Sequence, residues 1–518
     1  MSRFRQVFHG AASGYMVQVA TALYSMVTVP LALHYLSAEK FALWALMSSI
    51  GGYLGLIDLG MSGSVARLLI DHKENRERGA YGSFLLTGWL VLIVQGLIVF
   101  VAGLVLAPIL GGLLDIQPDL RSEFVQLMRW QTTVWALGFV MRISSHVLYA
   151  HQRLEMTGYI QTGGLALSFA LLWSFFHANQ GVFSLAWANL LTSLVAAAVS
   201  MVICWRLRLF PPAGAWGRPS RKYFREIFGY GKDMFLVSVG AQLISASQTL
   251  IITRVLGLQA AAAWSVGTRA FTAVSQAVWR ISDVSGPGLS EMITRGEDVL
   301  LRKRYKALVI LTASLSGFGA VGFALCNSPL VTILSHGKII WPSMNDVLLG
   351  AWMIVLSVLH CHNGFVLLTK KVSFMRYVYF IEGAVAVIAT FFAAKRGGLP
   401  AMILCSIVCS TVFSGAYGIW RISRYFSLTI REVALSWLAP MTRVLVLFAP
   451  VAVATWWASQ HLEHPVARLA LNAFIGGWVG LFLFLRFGLS LDVQEELLLR
   501  APQALNPVLR RVFGSLPK

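Results

Sequence analysis

The sequence predicts an all-α, multi-pass membrane protein of about fourteen transmembrane helices. They are expected as two six-helix lobes related by a parallel internal repeat, followed by two further helices. Three observations predict this class. Hydrophobic residues fill 57% of the 518 positions and charged residues only 12%, a balance that no soluble core requires. The charges cluster between apolar runs long enough to cross a hydrocarbon core about 30 Å thick, which takes about 20 helical residues. Sliding the chain on itself by 220 positions also places Phe8 on Phe228, Ser25 on Ser245, Leu36 on Leu256, Trp44 on Trp264 and Ser62 on Ser282, with helix and turn boundaries in step.

In chain order, the expected spans are 14–36, 41–63, 82–110, 124–150, 158–176 and 181–205, which make an N-terminal lobe at 1–207. A basic linker at 208–229 follows, marked by Pro211, Pro212, Gly214, Gly217 and Pro219. The second lobe, 230–421, holds spans 230–256, 261–287, 307–334, 347–369, 375–394 and 399–420. Two extra spans, 435–459 and 466–489, occupy 422–490 outside the repeat, and 491–518 is expected as a cytoplasmic tail carrying a surface helix. The basic N-terminus runs straight into the first span, so no cleaved signal peptide is expected.

Loop charge sets the orientation. With the N-terminus inside, roughly 27 basic residues lie in cytoplasmic segments and roughly 6 in the opposite loops. The inner set includes Lys73, Arg76 and Arg78, the run from Arg206 to Arg225, and Lys370 and Lys371. Both termini are therefore expected in the cytoplasm. The net charge of +20 is accounted for by this bias, so no nucleic-acid partner is expected. Five cysteines in or beside spans show no metal-ligand spacing, and no phosphate-cradling loop, zinc-binding His-Glu pair or nucleophile elbow is present. The outer loops are too short for a catalytic domain, so no enzyme activity and no cofactor are expected; coupling to protons or sodium stays open.

Function is sought among ionisable residues at membrane depth, which face protein or water and mark pathways. At about 100° per residue, Arg269, Thr272, Gln276, Arg280 and Asp283 share one face of a helix. Arg142 leads a similar stripe with Ser145 and His146. Arg142, Arg269 and Arg280 are too deep to reach the interface, which makes them, with Thr272 and Gln276, candidates to line a substrate cavity. Arg280 and Asp283 are also spaced to pair with each other. Asp58 suits a coupling-proton site and equally a salt bridge to Arg67 or Arg142. Glu382, His146, His360 and His362 are further relay candidates, and the hydroxyl stripes at 18–28 and 238–249 are read as helix packing.

A first hairpin with Pro30 before Leu36 and Ser37, then Phe41-Ala-Leu-Trp44 leading to Ile57-Asp58-Leu59-Gly60, resembles the bacterial polysaccharide flippases of the multidrug/oligosaccharidyl-lipid/polysaccharide exporter superfamily. The resemblance recurs in Phe228-Gly-Tyr-Gly231, Ile251-Ile252, Leu256-Gly257 and Trp264-Ser-Val-Gly-Thr-Arg269. Where members often carry an acid before the Ile-Ile pair, this chain has Gln248 and Thr249. The resemblance implies alternating-access translocation of an undecaprenyl-diphosphate-linked oligosaccharide to the periplasmic leaflet of the inner membrane, for O-antigen, capsule or exopolysaccharide. It also implies polysaccharide polymerase machinery as a partner. A multidrug exporter of the same fold and a membrane-embedded glycosyltransferase or polymerase are the alternatives.

Loop charge makes a direct prediction. Cysteines placed in the linker at 206–225 or the loop at 295–304 should be shielded from an impermeant thiol reagent in intact cells. Cysteines beside Glu39, Lys338 or Glu463 should label, and the reverse pattern would invert the topology.

Overall fold

The computed structural model describes residues 3–58, 60–72, 79–151, 153–369, 374–500 and 506–513. The described residues form helices and turns with no strand. The basic loops at 73–78 and 370–373 lie outside them. Among the described residues, eleven helical stretches, against the fourteen expected, are both long and apolar enough to cross a membrane. Two physical features account for the difference. Helix α5 (Pro118–Ala150) and the helix over 269–295 carry too many charged and polar side chains, the latter cut off from the ten apolar residues 258–267 before it. Expected spans 375–394 and 399–420 share one apolar stretch, Met375–Tyr425, interrupted by the non-helical Gly397 and Gly398.

The chain forms two compact units, Met1–Ser265 and Val266–Lys518. In the first, α1 (Arg3–Tyr35) packs on α6 (Leu154–His177), α6 on α7 (Phe183–Arg206), and α4 (Ala80–Leu113) on α5. Small residues permit these close approaches. A Cβ at Gly96 would stand 2.7 Å from the Ala136 carbonyl oxygen. The expected span 41–63 is not one helix. It divides into α2 (Ala38–Leu54), a 3₁₀ turn (Gly55–Asp58) and α3 (Met61–His72), with Gly60 at φ +71°.

Helix α8 (Arg221–Leu256) belongs to this first unit, packed on α2, α3 and α4. At one end of the unit, Lys40 pairs with Glu123 at 3.0 Å, Arg254 with Asp115, and Gln259 donates to Glu39 at 2.9 Å. His72 meets Glu226 at 3.6 Å at the other end. The linker before α8 lies against the start of α4. Tyr81 donates to the Leu209 carbonyl at 3.0 Å, and the backbone N–H of Ser220 donates to Thr87 at 2.9 Å. Gly82 has no side chain because the Ala215 carbonyl occupies that space, 2.4 Å from an ideal Cβ.

The last two residues of α9 (Leu258–Gly267) open the second unit, and α9 gives way at Thr268 to α10 (Arg269–Arg295). The long α11 (Asp298–Leu334) is the hub, packed on α10, α12 (Ser343–Leu368), α15 (Ala439–Gln460) and α16 (Pro465–Leu483). Its start is set in an aromatic core of Tyr305, Phe365 and Trp437, where Tyr305 hydrogen-bonds His362 at 2.7 Å. Helix α13 (Met375–Ser410) leads through a π-helical turn, Thr411–Gly415, into α14 (Ala416–Tyr425). The tail contributes α17 (Leu491–Arg500) and α18 (Asn506–Phe513). It is not wholly superficial, since Phe513 is buried with Phe484 and Leu489.

At the far end of α11 sits a fully buried carboxylate that the sequence gave no reason to single out. Asp346 accepts hydrogen bonds from Asn327 Nδ2, Ser328 Oγ and Trp341 Nε1, each at 2.6 Å. Asn327 Nδ2 also reaches the carbonyl of Gly267 at 2.9 Å, where α9 ends. Trp341 packs flat over Gly267, with three ring atoms 2.6 Å from where a Cβ would stand. One acid therefore holds α11, α12 and the end of α9 in register.

Removing it leaves buried donors without an acceptor, at about 1–3 kcal/mol each. Asp346→Ala should lower the melting temperature of the detergent-solubilised protein sharply and reduce membrane abundance, with Asp346→Asn intermediate. A wild-type melting curve for the Ala variant would contradict the clamp.

Candidate functional site

The first unit holds a polar cavity of about 590 Å³ among α1, α5, α6 and α7. Each helix contributes one stripe at helical spacing. Thr21 and Tyr24 come from α1, and Gly138, Arg142 and Ser145 from α5. Helix α6 supplies Thr157, Gln161, Gly164 and Ser168, and α7 supplies Asn189, Thr192, Ser193 and Ser200. Arg142 is the one charged side chain among these lining residues. It is exposed, with its guanidinium 4.4 Å from the centroid of the Phe139 ring. The ring face supports the cation, and the Asp58 carboxylate lies within electrostatic reach of it.

The walls are tied by a 2.8 Å hydrogen bond between Tyr24 and Ser168, and Ser200 donates back to the Ala196 carbonyl at 2.8 Å. The buried hydroxyl oxygens of Thr157 and Thr192 have no hydrogen-bond partner among the described residues. Unspent polar atoms of this kind need an explanation at a membrane-embedded site. The sequence stripe of α5 pointed here. The stripes of α6 and α7 were missed, although Thr157–Gln161–Ser168 and Asn189–Thr192–Ser193–Ser200 are visible as hydroxyls and amides at helical spacing.

The remaining predicted residues are distributed as follows. Asp58 ends the 3₁₀ turn and accepts the backbone N–H of Ser62 at 3.0 Å, while Gln95 donates to the Asp58 carbonyl at 2.7 Å. Asp58 thus acts as a cap for α3. The side chain of Arg67 lies outside the described residues. His146, half-buried one turn beyond Arg142, has an Nε2 atom without a hydrogen-bond partner among the described residues.

In the second unit, α10 does not begin until Arg269, so this residue opens a helix instead of lying in the middle of one. Thr272 and Gln276 are exposed, whereas Arg269 and Arg280 are half-buried. Thr272 donates to the Thr268 carbonyl at 2.9 Å. Asp283 is met across the helix pair by His360 Nε2 at 2.7 Å, and the His360 ring stacks on Trp279 at 4.9 Å. Sequence spacing had offered Arg280 as the Asp283 partner and had not joined Asp283 to His360. Glu382 is buried and accepts the backbone N–H of Ser414 at 3.1 Å, inside the π-helical turn. Among the described residues, no group of three or more His, Cys, Asp or Glu side chains is placed to hold a metal ion.

A family model described as a polysaccharide biosynthesis protein matches residues 34–338. No curated protein sequence matches the chain. Among solved structures, the chain is similar to an inward-facing multidrug resistance MATE family transporter of the MOP superfamily, at 14% identity and a TM-score of 0.60 over 81% of this chain and 96% of that one. It is also similar to a mutant of the Vibrio cholerae MATE transporter VcmN, at 15% identity and a TM-score of 0.57 over 81% of this chain and 97% of that one. An outward-facing MATE transporter of the same superfamily gives 13% identity and 0.55 over 82% and 97%.

Proposed function

The chain belongs to the polysaccharide biosynthesis protein family, and on that premise we propose that it flips a lipid-linked oligosaccharide across the membrane. The substrate we propose is an undecaprenyl-diphosphate-linked repeat unit. It would move from the cytoplasmic to the periplasmic leaflet of a bacterial inner membrane, for O-antigen, capsule or exopolysaccharide, with a polymerase taking the product. Alternating access would use the repeat-related lobes 1–207 and 230–421, with both termini in the cytoplasm.

One observation carries the reading: the cavity of about 590 Å³ that pairs a single arginine with a wall of hydroxyls and amides. Arg142 offers a planar fork to a diphosphate oxygen. Gln161, Asn189 and the threonine and serine hydroxyls offer donors and acceptors for sugar hydroxyls. Arg269 and Arg280, with Thr272 and Gln276, are proposed as the anion-contacting counterpart on α10. Asp58, Asp283, His146 and Glu382 are held as coupling or pairing groups. A cationic drug would find no carboxylate among the residues lining the cavity, which weighs against multidrug export.

In proteoliposomes, Arg142→Ala should lower flipping of a lipid-linked oligosaccharide by about tenfold or more, the equivalent of about 1.5–3 kcal/mol for a hydrogen bond to a charged group. Membrane abundance should change little, because the guanidinium is exposed at the cavity, over Phe139 and within electrostatic reach of Asp58. Arg142→Lys should recover part of the activity, keeping charge but losing the fork. Arg269→Ala tests α10 in the same assay. Undiminished flipping by Arg142→Ala would reject this cavity as the substrate site, and new glycosidic product from nucleotide sugar would replace transport by synthesis.

A further inference from the structure

A second concavity of the first unit has no part in that scheme. A groove of about 660 Å³ runs along α4 beside the start of α8. Its lining is apolar: Leu90, Val94 and Ile98 of α4, Met61 of α3, and Phe224 and Phe228 of α8. Five of these remain 43–48% exposed, so the protein's own side chains do not fill the groove. From Thr87 to Ile98 it extends about 16 Å along the helix, roughly half of a hydrocarbon core.

One end is cationic. Pro219, Ser220 and Arg221 close the groove there, and Arg218, Lys222 and Arg225 are exposed beside it. The backbone bonds from Ser220 to Thr87 (2.9 Å) and from Arg218 to Ser83 (3.1 Å), with the Gly82 contact, fix the first turn of α8 against α4. Arg221 is therefore anchored at the mouth. The N-terminal end of a long helix adds partial positive charge at the same place. A soluble anion would leave the apolar floor uncovered, and an uncharged hydrocarbon would leave the cations unanswered. An amphiphile with an anionic head satisfies both.

We propose that this groove binds the polyisoprenoid chain of a phosphate-linked lipid, with the phosphate at Arg221. The isoprenoid identity rests on the flippase reading; the demand for a phosphate-bearing lipid rests on the groove itself. The site separates recognition of the carrier from recognition of the sugar, since the groove uses α3, α4 and α8 and the polar cavity uses α1, α5, α6 and α7.

Undecaprenyl phosphate added to the purified, detergent-solubilised full chain, followed by native mass spectrometry, tests this. The expected result is a retained adduct that Val94→Trp and Ile98→Trp weaken by about tenfold or more. Both positions are about half exposed, so melting temperature should be unchanged. Arg221→Gln should weaken the adduct by about fivefold, the effect of one basic residue beside an anionic lipid surface. Displacement by phosphatidylglycerol at equal concentration, displacement by inorganic diphosphate, or wild-type binding in both tryptophan variants would each overturn the assignment. Flipping is measured on the same variants. Absence of an adduct on the unsubstituted chain while it still flips overturns the groove and leaves the proposed function standing; a retained adduct on the unsubstituted chain without any flipping removes the function and leaves the groove.

Discussion

Hydrocarbon offers no water to a backbone N–H or carbonyl, so every interruption of a membrane helix must be answered from within the protein. Three interruptions here are answered by buried or half-buried polar side chains. Asp58 takes the Ser62 N–H after the break that ends α2. Asn327, oriented by Asp346, donates to the Gly267 carbonyl where α9 stops. Glu382 takes the Ser414 N–H in the π-helical turn after α13. Breaks of this kind let a helical protein expose irregular backbone and change direction at membrane depth, and each is stabilised by a charge-assisted or amide hydrogen bond.

That use of the acids shapes the charge available to a ligand. Carboxylates at membrane depth are conventionally read as coupling sites, yet these three are bonded to backbone, or to the amide that serves it. The arginines are arranged differently. Arg142 lies on an aromatic face at the edge of a polar cavity, with no carboxylate lining that cavity. The solved structures of 13–15% identity share the architecture with this chain. They say nothing about cargo, which must be argued from the side chains of the cavity.

Much of the fold was legible because length, apolarity and loop charge act residue by residue. The turn at Gly257, at φ +86°, and the break at Gly397–Gly398 both fell where expected spans were separated. What the sequence could not display is the interior of a span. The stretch 41–63 reads as one apolar run, and only the tertiary bond between Gln95 and the Asp58 carbonyl shows that the chain leaves the helix there. Asp346 was passed over because it adjoins a predicted loop, where an acid is ordinarily solvated; Trp341, Asn327 and Ser328 arrive from other parts of the chain to bury it. The cavity was half legible. Arg142 stood out as a charge and the α1 hydroxyls were read as helix packing, whereas the hydroxyls of α6 and α7 were missed until four helices brought them to one space.

The chemistry of that wall narrows what it can hold. A serine that donates to its own helix, as Ser200 does to Ala196, retains acceptor lone pairs and no free donor. Donors in the cavity then come from Arg142, Gln161, Asn189 and the unpartnered hydroxyls of Thr157 and Thr192, and acceptors from the hydroxyls and amides. A sugar ring, which presents both functions at each hydroxyl, can use this mixture, and a phosphate group can use the guanidinium. A monocation about 4 Å from Arg142 would instead meet about 4 kcal/mol of repulsion at the effective dielectric of a partly wetted site. Asp58 would offset part of it, but no acid lies in the lining itself to meet the cation. The same arginine that admits an anionic head group therefore excludes the cations that a carboxylate-lined cavity on this fold would favour.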